Sequence, residues 1–230
     1  MSQPETIGHL KAVLLGKAVP YGRPGARSAI DKCVVSGRVE VGHEGLVGDE
    51  QGDRRVHGGP DKAVHCYAWS HYAAWRDEFP ESPLLRQPGA FGENFSVEGI
   101  DEASVCIADR WRIGDAAFEL SQGRQPCWKL NERFGVADMS SRVQQSLRAG
   151  WYLRVLSPGT VGAGDEIVRI ARPWPDWTVA RLLRVIRDRE CDAGLLRQVL
   201  ELPLPESWRK LFRVRLESGR SESWVRRLFG

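Results

Sequence analysis

Residues 9–19 (HLKAVLLGKAV), 28–35 (SAIDKCVV) and 38–42 (RVEVG) are short apolar runs punctuated by Gly and Pro, and no helix-length segment separates them. Parallel strands need a crossover of a dozen or more residues, usually a helix, so βαβ units are not expected in this early part of the chain. Further strand-like runs occupy 64–68, 105–108, 111–113, 117–122, 151–156 and 166–170. Helical patterns cover 70–79, which Ser70 can cap and Pro80 stops, and then 126–134 and 138–147. Many short strands with irregular connections suit a closed or strongly bent barrel better than an open doubly wound sheet.

The period changes at residues 171–176 (ARPWPD), where two prolines end the last strand and Asp176 or Thr178 can cap a helix. Val179, Leu182, Leu183 and Ile186 then make one helical stripe. Asp192 can cap a second helix carrying Leu195, Leu196, Val199 and Leu200, stopped by Pro203, and Trp208, Leu211 and Phe212 mark a third. The expected organisation is therefore mainly β with α: a β-barrel domain over 1–172, followed by a small three-helix domain over 173–230. Helices this short draw their stability from packing on one another or on the barrel.

At 230 residues, 42% hydrophobic and 27% charged, the chain has globular composition. No apolar run is long enough to span a membrane, and the start has no basic region followed by a sustained apolar core, so no signal peptide is expected. Five scattered cysteines, an odd number, point to reduced thiols and a cytoplasmic protein rather than a disulfide framework. The formal charge of +3 conceals an Arg-rich tail, in which residues 173–230 hold 12 Lys/Arg against 8 Asp/Glu. Acids interspersed among these bases read as the solvated face of small helices, so a nucleic-acid partner is not expected.

Two segments concentrate chemistry. Residues 121–130 (SQGRQPCWKL) place Cys127 between Arg124 and Lys129, and nearby positive charge favours the thiolate, the form that attacks electrophiles and binds soft metals. Pro126 suits a first helical position, which would set Cys127 near a helix N-terminus. The competing reading is a small buried hydrophobe. Residues 45–67 (GLVGDEQGDRRVHGGPDKAVHCY) form a charged stretch rich in Gly, the signature of an irregular loop. Its Gly58-Gly59-Pro60-Asp61 turn holds His57 and Lys62 on either side of a bend. His57, His65, Cys66 and His71 do not follow a zinc spacing, and alternation sends His65 and Cys66 to opposite faces. His65 and His71 therefore read as core or surface residues. Dinucleotide-binding, Walker, iron–sulfur and nucleophile-elbow patterns do not occur.

Together with AFGENFSVEGI, GDAAFELSQGRQPCWKL and GWYLRVLSPGTVGAGDEI, these segments resemble the successive signatures of a MOSC domain, the molybdenum-cofactor sulfurase C-terminal module, over residues 7 to 172. The tail resembles the three-helix extension of the YiiM-type subgroup. One departure is Gly123, where the family usually has Pro; a glycine there would loosen the backbone leading to Arg124. The resemblance implies a MOSC-type β-barrel and a molybdenum cofactor (molybdopterin) held by one protein thiolate, Cys127. It assigns Lys32, Lys62, Arg124 and Lys129 to the basic surroundings of the pterin phosphate, and Glu50, His57 and Asn94 to polar site positions. The implied reaction is reductive removal of oxygen from an N-hydroxylated compound, such as a 6-hydroxylaminopurine-type base analogue, with electrons from an external reductase and a proton from His57 or Glu50. A cofactor or sulfur carrier without turnover, and a binding module that kept only the fold, are the alternatives. Either a monomer or a homodimer is compatible with the chain.

Overall fold

A computed structural model describes residues 4–52 and 58–230. Its centre is a closed barrel. Strands β1 (Glu5–Gly16), β7 (Val64–Ala68), β8 (Phe95–Glu98), β9 (Arg110–Ile113), β10 (Ala116–Gly123), β11 (Trp151–Ser157) and β13 (Glu166–Ala171) hydrogen-bond in the order β13-β9-β10-β11-β7-β8-β1, and β1 pairs back onto β13. Closure leaves no unpaired edge among these seven strands. The short strand β4 (Lys32–Val34) extends the far end of β1 through Gly16 opposite Lys32. Two small sheets flank the barrel: the hairpin β2 (Val19–Pro20) with β3 (Arg27–Ser28), and β5 (Val39–Gly42) between β6 (Gly45–Leu46) and β12 (Gly159–Val161).

The pairing is antiparallel except between β7 and β8. Helix α1 (His71–Glu78) connects those two strands, so one βαβ-like unit sits inside the barrel. The sequence does not announce β8, because Phe95-Ser96-Val97 is too short to display a period and both its faces are buried. Residues 105–108, expected as a strand, make only an isolated bridge from Cys106 to Thr178, and Ala108 takes φ 61°. The 28–35 run is split, with Ala29–Asp31 outside any strand.

Helices α2 (Lys129–Phe134) and α3 (Met139–Ser146) come after β10. Helix α2 starts later than Pro126 suggests, so residues 124–127 run without regular structure between strand and helix. After β13 come α4 (Val179–Arg187), α5 (Ala193–Glu201), α6 (Glu206–Ser218) and a one-turn helix α7 (Val225–Leu228) that the sequence stripes do not reveal. Thr178 and Asp192 cap α4 and α5 through side chains that accept from Arg181 N and Leu195 N. Arg215 is fully buried among these helices, donating to Val185 O at 2.8 Å and pairing with Glu222. Gly123 has a definite packing reason. It is paired with Trp151 in the β10–β11 ladder, and a Cβ there would meet Leu183 Cδ2 at 2.8 Å and Val179 Cγ1 at 3.4 Å. The glycine lets α4 approach the strand, and the backbone leading to Arg124 is held rather than loosened.

Among the described residues no helix is long and apolar enough to cross a membrane. All five cysteines are free thiols.

Candidate functional site

The polar turn before β7 is built as its chemistry requires. Gly59 takes φ 90°, a conformation that penalises any side chain, and Pro60 opens the 3-10 turn Pro60–Lys62, closed by Lys62 N donating to Gly59 O at 3.0 Å. Ser121 Oγ on β10 donates to Asp61 O at 2.6 Å, and Arg154 on β11 pairs with Asp61 at 2.9 Å. The turn is thereby fastened to the barrel wall and presents Lys62 to the segment carrying Cys127.

Lys32, Glu50, Lys62, Asn94, Arg124, Cys127 and Lys129 all line one cavity of about 100 Å³. They are far apart in the chain, from Lys32 on β4 to Lys129 on α2, and the strand ends bring them together. His57 lies outside the described residues.

Each predicted residue has a distinct surrounding. Lys32 and Asp49 form an ion pair at 2.5 Å with side chains only 6% and 7% exposed. Burial pulls the Lys32 ammonium below its usual range while Asp49 opposes that shift. Asp49 Oδ1 also accepts from Gly16 N at 2.7 Å, and its Oδ2 accepts from Asn94 Nδ2 at 2.8 Å. Asn94 Nδ2 donates again to Leu14 O, and its Oδ1 accepts from His65 N at 3.1 Å. Asn94 is thus a brace that ties β1, β7 and Asp49 together. Its amide hydrogens are spent within the protein, which moves its role from cofactor contact to support.

Every acceptor used on Asp49 faces a donor. In Asp49→Asn the new NH2 must therefore turn on one of them, and Lys32 loses its counter-charge. The expected cost is about 1.5–3 kcal/mol, read as a lower denaturant midpoint at unchanged m.

Lys129 is buried and donates to Arg27 O at 2.7 Å. Burial lowers the Lys62 ammonium from its ordinary value, with Asp61 and Cys127 acting against that shift. Arg124 is buried at 7% exposure, and its Nη1 has no hydrogen-bond partner among the described residues. An unpaired buried guanidinium N–H is costly, and Arg124 borders both this cavity and a smaller one beside Gln144 and Leu183. Glu50 differs from the expectation. Its carboxylate accepts from Ala18 N at 2.9 Å and from Lys17 at 3.1 Å, and these bonds hold its pKa below the usual range. It is ionised at neutral pH with its side chain 46% exposed, so it has no proton to deliver.

Sequence reasoning places His65 in the core or on the surface and gives no signal for Asp49 or Tyr152, yet all three line the cavity. His65 and Tyr152 are cross-strand partners on β7 and β11 with ring centroids 5.0 Å apart. Burial and then the neighbouring Arg124 cation hold the His65 pKa well below its ordinary value, so the ring is neutral. Alternation puts His65 on the face opposite Cys66, but only the covering loops show that this face is the site.

Cys127 is half-buried and borders a second, larger cavity of about 840 Å³, which also touches Lys62, Lys129 and Tyr152. Ser207, Trp208 and Leu211 from α6, together with Ser223, Arg226 and Arg227, line this outer space. The helical tail is therefore a wall of the site, which no motif in it signals. Gln122 of β10 borders the same outer cavity and is buried, with its Oε1 lacking a partner among the described residues. Burial lowers Arg227 to about 10, so it remains a cation at neutral pH.

Comparison with known proteins gives a consistent set of similarities. Residues 53–168 match the MOSC domain, and residues 177–219 match the YiiM-like, 3-alpha helix domain. The chain is 37% identical over 215 residues to Protein YiiM of Escherichia coli, covering 93% of this chain and 94% of that protein. It is 39% identical over 192 residues to a protein named Reductase from Gibberella moniliformis, covering 83% of this chain but 34% of that longer protein. The crystal structure of YiiM from Escherichia coli superposes with a TM-score of 0.82 at 31% identity, covering 97% of this chain and 99% of that one.

Proposed function

Since the chain belongs to the MOSC family, in its YiiM-type branch, whose domains are associated with molybdenum cofactor binding, we propose that it is a molybdenum-cofactor-dependent reductase of N-hydroxylated compounds. The observation that carries this reading is the position of Cys127. Cys127 lines both the small cavity that holds Lys62, Arg124 and Lys129 and the adjoining larger space of about 840 Å³, which has room for a substrate. A carrier needs the first; turnover needs both.

The residues present fit the cofactor. The thiol of Cys127 is the soft donor for the metal. Lys62, Arg124 and Lys129 provide the positive surroundings that a pterin phosphate requires, Lys32 lines the same cavity within its ion pair with Asp49, and the buried Arg124 Nη1 has no partner among the described residues. When bound, the group would supply the two-electron reducing centre that takes oxygen from an N–O bond. The overall change is R–NHOH plus two electrons and two protons giving R–NH2 and water, with electrons from an external reductase. A 6-hydroxylaminopurine-type base analogue is the substrate class this reading favours. The relative named Reductase, which carries a similar segment within a longer chain, supports a redox role.

The protein's own work is positioning and desolvation. Tyr152 and neutral His65 wall the pocket, Asp49 and Asn94 hold Lys32 in place, and α6 with Ser223, Arg226 and Arg227 lines the outer cavity. With Glu50 ionised, His57 or solvent in the outer cavity is the proton donor this reading favours.

The test is molybdenum content together with reductase-coupled turnover of 6-hydroxylaminopurine, on protein made in a cofactor-competent host. Lys62→Ala should lower bound molybdenum by about 10-fold or more, since a charge-assisted phosphate contact is worth about 1.5–3 kcal/mol. Equal metal content in Lys62→Ala and wild type would remove Lys62 from the cofactor site. A persulfide on Cys127 with no molybdenum would instead identify a sulfur carrier.

A further inference from the structure

We propose that Arg227 is a positioning residue that clamps the Cys127 segment from both sides, which makes helix α7 part of the reactive site. The inference rests on the reading of Cys127 as the metal-binding thiolate. Residues 124–127 have no regular structure, so the backbone groups around the thiol need partners from elsewhere to hold one geometry. Arg227 takes up one on each side of Cys127. Its carbonyl accepts from Trp128 N at 2.8 Å, and its Nη1 donates to Pro126 O at 2.5 Å.

The clamp is itself anchored. Arg227 Nη2 donates to Gln144 Oε1 on α3 at 2.5 Å. The next residue, Leu228, accepts at its carbonyl from Asn131 Nδ2 on α2 and from Ser140 Oγ on α3, both at 2.8 Å. A helix of one turn has little stability of its own. These bonds tie α7 to α2, α3 and the cysteine segment as one unit. Gln144 is buried, so the guanidinium is braced from behind in a fixed orientation. A thiolate whose position depends on this clamp loses productive geometry when the clamp is cut, even with the barrel intact, and a misplacement near 1 Å costs on the order of 100-fold in rate.

The experiment compares wild type with Arg227→Met, Arg227→Lys and Gln144→Leu. It measures kcat and KM for 6-hydroxylaminopurine reduction, bound molybdenum, thermal midpoint, and amide hydrogen exchange across the chain. Arg227→Met keeps the bulk and removes the donors, so kcat should fall about 10- to 100-fold, a larger change than in KM, which also reads the lost cation on the outer cavity wall. Exchange at Trp128, whose N–H is held by the Arg227 carbonyl, should quicken about 10-fold or more while the barrel strands are unchanged. Arg227→Lys, with one donor restored, should recover part of the loss. Gln144→Leu should shift the same quantities in the same direction by less, and it serves with Arg227→Lys if the methionine variant does not fold. Unchanged kcat and unchanged exchange at Trp128 would overturn the proposal. So would a loss accompanied by equal quickening throughout the barrel, which is what general destabilisation produces. Should the wild type show no turnover, the reductase reading fails, and the exchange measurements still decide the clamp.

Discussion

Cys127→Ser should lose molybdenum-dependent reduction of an N-hydroxylated purine by a factor on the order of 10³ or more, equivalent to about 4 kcal/mol of barrier, while the protein stays folded. Serine is nearly isosteric, and Cys127 is half-buried outside the barrel core, so the packing consequence is small. The chemical consequence is large. A hydroxyl stays protonated near neutral pH and lacks the polarisable sulfur that binds a soft metal. The surrounding cations are untouched by the change, so residual binding of the pterin phosphate can persist in the variant. Molybdenum content and turnover must therefore be measured together. Wild-type turnover in Cys127→Ser would rule out thiolate ligation as the basis of activity. Loss of turnover with a collapsed thermal midpoint would assign the residue to packing instead.

The largest effect on stability is expected at Trp151. Its ring is fully buried and meets Trp111 edge-on at 6.2 Å and 89°. It sits on β11 opposite Gly123 on one side and Cys66 on the other, joining the two strands that carry the site. Trp151→Ala removes a large buried side chain from a wall that cannot collapse without breaking strand pairing, and should cost about 3–5 kcal/mol. Trp151→Phe should cost much less. It keeps most of the ring, and it also deletes an Nε1–H that has no partner among the described residues. Denaturant titration at constant m checks both. A Phe variant as unstable as the Ala variant would mean that the indole N–H is satisfied, by water for instance, and contributes to the fold. The alanine variant should also lower bound molybdenum, because Arg124 and Tyr152 sit next in the chain to the Gly123–Trp151 pair that the indole secures.

Much of this molecule is legible in local chemistry. Gly59 and Pro60 specify the turn that presents Lys62, since few other residues tolerate φ 90° or preset the next angle. The apolar stripe of Val179, Leu182, Leu183 and Ile186 specifies α4, and capping by Thr178 and Asp192 comes from side-chain oxygens placed before such stripes. The thiol among cations is likewise readable, because charge and nucleophile are near neighbours in the sequence. Glu50 and Asn94 are harder to assign. A carboxylate or amide in a polar loop has several partners open to it, and those chosen, Ala18 and Lys17 for one, Leu14, Asp49 and His65 for the other, lie elsewhere in the chain.

By itself, then, the sequence determined most element types, the turn, the reactive thiol and the basic residues, all set by backbone preference or by immediate neighbours. Tertiary structure decided the rest. It made β8 a parallel partner of β7, turned His65 and Tyr152 into pocket walls, and buried Asp49 against Lys32. It also folded α6 and α7 over Cys127, with Arg227 reaching back across 101 positions to Pro126. Burial and convergence depend on which strand ends meet, and no short window of sequence carries that information.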